Sequence, residues 1–193
     1  MFLYYRLLFI IVLLAGPSEL VLAQFDFPLG QHEQVDKSAE TRELVSKYCR
    51  LDYEGARLNA PDWSKLQPLV WWKTNPDYTQ MDIVTRYTVE GEPSPNRGKY
   101  NVTVQYRTLG IFDLVTGYVR EPANSVQEVN YTVSAVNGEW RILDADNTMP
   151  HPSRPAMIKW LNSRISGTTD AAARKIYEDA LRQLQTPGAT PAP

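Results

Sequence analysis

Asn137 and Gly138 lie between two runs of alternating polarity, VQEVNYTVSAV and EWRILDAD. Asn-Gly suits a type I′ turn because both positions tolerate positive φ, and that turn matches the twist of an antiparallel strand pair. A two-residue turn sets Val136 opposite Glu139 and so fixes the register of both strands. Ala135 then faces Trp140, Val133 faces Ile142, and Tyr131 faces Asp144, all on one side. That side is apolar until it reaches the carboxylate, so the hairpin predicts an antiparallel sheet with one covered face.

The segments before it supply the rest of the sheet and its cover. From Lys37 to Asn59 the apolar residues Leu44, Tyr48, Leu51, Gly55 and Leu58 recur at three- and four-residue steps, which predicts a long helix capped by Asp36 or Ser38. Pro61 opens a short second helix to Leu69, and Val70-Trp71-Trp72 forms an apolar group after it. Alternation then places Met81, Ile83, Tyr87 and Val89 on one strand face. Glu90 to Lys99 carries turn chemistry, Tyr100 to Arg107 alternates cleanly, and Gly110 marks a bend or bulge before a further strand over Ile111 to Val119. Helices over Pro155–Ile165 and Asp170–Leu184 follow. The order predicts an α+β fold: a long N-terminal helix packed on a curved antiparallel sheet, with C-terminal helices.

Composition excludes several partners. Twenty basic residues against twenty-two acidic ones leave a net charge of -2, with no basic cluster to hold nucleic acid or an anionic bilayer. At the N-terminus Arg6 precedes the apolar run Leu7–Ala15, and Val21-Leu22-Ala23 has the small residues that a signal peptidase reads. The run is short of the roughly 20 residues of a spanning helix, so cleavage after Ala23 is expected. That implies export to a periplasm or the extracellular space, and no membrane span after processing. The chain then divides into a leader over 1–23, an arm over 24–36 with a solvated His32, an α+β domain over 37–165, a helix over 166–184 and a disordered Pro-rich tail over 185–193. Cys49, the single cysteine, is expected to be a buried small hydrophobe.

Three stretches, LVSKYCRLDYEGARL, YNVTVQYRTLG and VNYTVSAVNGEWRILDA, together resemble the nuclear-transport-factor-2-like superfamily, the cone-shaped α+β fold of ketosteroid isomerases and scytalone dehydratase. The resemblance is one of pattern, spans roughly Ser38 to Ala145, and departs from many members in having no helix between the first two strands. It implies a pocket between helix and sheet in which interior acids transfer protons or position water.

Asp52 stands out because it lies inside the apolar arc of the first helix, between Val45 and Tyr48, while Arg42, Glu43, Arg50, Glu54 and Arg57 fall outside. A carboxylate on a buried face costs several kcal/mol unless paired. It therefore ties helix to sheet through a Trp, Tyr or backbone donor, or else serves a ligand or a reaction. Tyr48, Asp52, Tyr131, Trp140 and Asp144 are the candidate ligand-binding residues. Asp52 and His151 are the catalytic candidates, His151 being a loop residue, expected solvated, near the cone mouth. Asp144-Ala-Asp146-Asn-Thr148 matches a phosphatase nucleophile pattern, but it sits on a hairpin arm where that chemistry needs a parallel sheet. As a calcium loop it lacks the glycine and the glutamate. Asn101 and Asn130 begin outward-facing glycosylation sequons.

No metal cluster, phosphate loop or nucleophile elbow is present, and no cofactor is expected. The leading expectation is an exported non-catalytic module that binds a small apolar ligand or an envelope protein. The alternatives are a small cofactor-free lyase, isomerase or hydrolase using Asp52 with Tyr48 and His151, and a structural envelope protein that forms a homodimer through the outer sheet face.

Overall fold

The computed structural model describes residues 37–96, 98–122 and 125–186, with the backbone alone for 91–96. The expectations for the leader, the arm with His32, the Asp36 cap and the tail beyond residue 186 lie outside the described residues. Helix α1 (Lys37–Tyr53) is followed by an irregular helical stretch over 60–69 that contains α2 (Trp63–Leu66). Strands β1 (Gln80–Asn96), β2 (Lys99–Asp113), β3 (Gly117–Arg120), β4 (Val126–Val136) and β5 (Glu139–Ala145) come next. Helices α3 (Arg154–Gly167) and α4 (Ala171–Gln185) complete the chain. All strand pairings are antiparallel, in the order β1-β2-β4-β5, and β3 pairs with β2. The fold is α+β, as the hydrophobic patterning predicts. Among the described residues no helix is long and apolar enough to cross a membrane.

Several boundaries differ from expectation, each for a local reason. Helix α1 ends six residues early because Gly55 adopts φ +90°. Gly55 N–H then donates to Asp52 O and Ala56 N–H to Leu51 O, a Schellman closure. The stretch expected as a long turn after Glu90 instead continues β1 to Asn96, so β1 and β2 form one long hairpin. The strand expected over Ile111–Val119 is split: Asp113 ends β2, its carboxylate accepts from Val115 N and Thr116 N, and β3 starts at Gly117.

At the Asn137-Gly138 turn both residues have positive φ, 52° and 84°. The pairs Val136–Glu139, Ala135–Trp140 and Val133–Ile142 form as the turn predicts. Beyond them a bulge at Leu143 adds one residue to β5, so Tyr131 pairs with Ala145, and Asp144 pairs with Thr132 and is exposed. Further irregularities at Thr85 and Leu109 break the β1–β2 ladder. A bulge reverses which face successive residues take, and the core is accordingly in two parts. One packs Val45, Tyr48 and Cys49 of α1 on Val104, Tyr106, Val129 and Tyr131 of the sheet. The other packs Met81, Ile83 and Phe112 under Met157, Trp160 and Leu161 of α3 and Leu184 of α4.

Both sheet edges are partly closed by non-strand segments. Asp82 N–H donates to Pro150 O and Val84 N–H to Pro152 O, so residues 150–153 run along the free edge of β1. Trp71 N–H donates to Ile142 O on the free edge of β5. Ser153 then caps α3 by accepting from Ala156 N, and Asp170 caps α4 by accepting from Ala172 N and Ala173 N.

At Gly110 a Cβ would stand 2.3 Å from the Tyr118 ring and 2.5 Å from Val119 O. Because the backbone oxygen has no rotamer to escape into, Gly110→Ala should destabilise the protein by about 3 kcal/mol. Urea denaturation of the variant checks this; an unchanged midpoint would mean that β3 is free to move away from β2.

Candidate functional site

The irregular end of β1, the last turn of α1 and the 150–153 segment converge on His151. The two flanking prolines cannot donate backbone hydrogen bonds, so the His151 N–H is the donor that this tripeptide offers. It donates to Asp52 Oδ2 at 3.0 Å. The His151 ring follows it inward: Nδ1 lies 3.4 Å from the same oxygen, and Nε2 lies 3.2 Å from Gln127 Oε1. Asp82 Oδ2 stands behind Nε2 at 3.9 Å, beyond hydrogen-bond reach. Asp52 is 0% exposed and His151 1%. His151 is therefore not the solvated loop residue expected at a cone mouth but a core residue.

Tyr106 closes the cluster. Its ring stacks on the imidazole, with centroids 3.9 Å apart and planes 11° from parallel. Its hydroxyl donates to Cys49 Sγ at 3.1 Å and lies 2.8 Å from the Tyr131 hydroxyl, which can then donate to it. Burial pushes both tyrosine hydroxyls well above their ordinary range and the Cys49 thiol up to about 12, so all three hold their protons at neutral pH. Burial also raises Asp82 above the usual carboxylate range, outweighing His151 and the side chains of Gln127 and Asn147, which pull it down.

Of the sequence candidates, Tyr48, Asp52, Tyr131 and His151 lie in or against this cluster. Tyr48 packs edge-on to Tyr131 at 5.6 Å, and burial raises its hydroxyl. Trp140 does not join them. It sits further along the sheet, edge-on to Tyr100 at 5.5 Å, and its indole donates to Glu40 Oε2 at 2.7 Å. Asp144 does not either, because the Leu143 bulge turns it outward. Asn101 and Asn130 are exposed, and each accepts from the threonine of the other's sequon, Thr132 and Thr103.

Patterning alone misses Asp82, Gln127 and Arg57. Arg57 falls outside the apolar arc of an extended α1, yet it is buried once Gly55 ends the helix and turns the chain. Its Nε donates to Asn75 Oδ1 at 3.0 Å, and Asn75 Nδ2 donates back to Arg57 O at 2.9 Å. The asparagine in a turn after Trp72 is the one sequence hint of such a clamp. Buried atoms of Asp52 (Oδ1), Asp82 (Oδ2), Arg57 (Nη2) and Trp72 (Nε1) have no partner among the described residues.

An imidazole flanked by carboxylates has the groups for general acid–base chemistry. Here the Nε2 that would face a substrate faces Gln127, and the Tyr106 ring occupies the space over the imidazole. Among the described residues, three of the surface clefts, of about 470, 430 and 260 Å³, are lined by other residues. The second lies between the 67–73 stretch and the β4–β5 turn, where Trp71 is 59% exposed. Trp71 thus leaves the apolar group formed by its buried neighbour Val70.

Comparison with protein-family models, with curated proteins and with solved structures gives no match.

Two outcomes follow from the cluster. A raised carboxyl binds its proton more tightly in the folded state than in the unfolded state, so its contribution to stability falls as pH rises through its folded pKa. Asp82→Asn should therefore raise the Tm at neutral pH, with the gain vanishing as pH falls below the ordinary carboxylate range; a gain that does not depend on pH would deny the burial cost. Cys49, protonated and sealed, should resist iodoacetamide at pH 8 in the native protein and react fully in urea, as read by mass spectrometry. Native labelling would show that the cluster opens.

Proposed function

We propose that this chain is an exported, non-catalytic binding module that meets its ligand or partner on its outer surface. The observation that carries this reading is the sealed Asp52–His151 pair. The groups best suited to chemistry are the ones from which solvent is excluded, and they are consumed in joining α1, β1 and the 150–153 segment. The N-terminal apolar run ending in Val21-Leu22-Ala23 supports export. The long helix across a curved antiparallel sheet supports a scaffold similar to the nuclear-transport-factor-2-like cone, with the interior filled by Tyr48, Tyr106 and Tyr131. Of the three clefts, the one beside Trp71 offers the large exposed aromatic surface that binding sites favour.

Native mass spectrometry of protein purified from the exported fraction tests this. Any adduct or partner held by the wild type should be lost in Trp71→Ala and kept in Asp52→Asn. The reverse pattern, loss in Asp52→Asn alone, would return the function to the interior.

A further inference from the structure

The cleft beside Trp71 has a composition that narrows what it can hold. Trp71 stands at its rim with more than half of its surface in water, so a ligand resting on the indole keeps its other side solvated. A wholly apolar ligand gains little there, because apolar affinity comes from enclosure on most sides. The ligand that fits is amphipathic across its own thickness, with one face of C–H groups for the indole and polar groups around its edge. The lining supplies the matching polar groups. Asn137 is held outward at the turn with φ 52°, Gln67 and Lys73 come from the facing stretch, and Glu139 is oriented by its pairing with Arg141. Arg141 is also fixed by donating to Pro68 O, so its charge serves the cleft's own framework and is not free to select an anion.

We propose that this cleft is a saccharide-binding site: a pyranose ring stacks on Trp71, and its hydroxyls bond to Asn137, Gln67 and Glu139. Volume agrees, since about 430 Å³ lies within the size range of small-molecule sites. The proposal rests on the reading of the chain as a surface-binding module and names the ligand class for it.

The test is titration of the purified protein with chitohexaose, with cellohexaose and with mannohexaose, followed by tryptophan emission and calorimetry. At least one should quench and shift the emission with an enthalpy that saturates. Trp71→Ala should weaken that binding at least tenfold, and Trp71→Phe, which keeps a smaller ring, should weaken it less. Trp71 is exposed, so neither variant should lower the Tm. Quenching that survives Trp71→Ala, or no saturable signal from any of the three sugars at millimolar concentration, overturns the proposal. In the second case AMP, which stacks but carries phosphate, is run next. If AMP binds, or if a partner from the exported fraction is still lost in Trp71→Ala, the saccharide assignment fails while surface binding stands. If nothing depends on Trp71, both fail.

Discussion

The hydrogen bond from the His151 backbone to the Asp52 carboxylate joins the two parts of this core. Asp52 is in the last helical turn of α1, which covers the Tyr106–Tyr131 half of the sheet. His151 begins the short segment that edges β1 and then becomes α3, which covers the Met81–Phe112 half. A carboxylate removed from water costs several kcal/mol, and the charge-assisted bond from the His151 backbone amide offsets part of that cost. Ser153 N–H donating to Tyr53 O closes the same junction from the backbone. Trp160 Nε1 donating to Leu58 O adds a third bond between α3 and the chain just after α1.

The same junction decides how the interior is used. Helix α1 lies over the curved sheet, and the space between them is the interior of this half of the molecule. Here three tyrosines, an imidazole and a cysteine occupy that space, and their mutual bonds leave no approach for a substrate to Nε2. The acid in the greasy arc of α1 is therefore a joint between the two parts of the core.

How much was legible from sequence follows the range of each signal. The Asn-Gly turn, the period of α1 as far as Tyr53 and the alternation of β2 and β4 act over a few residues, and they hold in the structure. Asp52 was legible as an anomaly, a charge on the wrong arc, though its partner was not, because His151 is ninety-nine positions away. Asp144 was misplaced because a bulge at Leu143 has no local signature, and one inserted residue turns every later side chain over. Arg57 was misplaced because the glycine two residues before it ends the helix, so helical phase no longer applies. The exposure of Trp71 depends on how a loop crosses a sheet edge, and no periodicity encodes that.

Amide hydrogen exchange at His151 measures the central tie most directly. If Asp52 holds that N–H in a sealed core, the amide should exchange only through global unfolding, with a protection free energy equal to the stability from denaturant titration. Asp52→Ala should then lower both together by about 1–3 kcal/mol. Exchange at the rate of an open loop in the wild type, or protection unchanged in Asp52→Ala, would contradict the account.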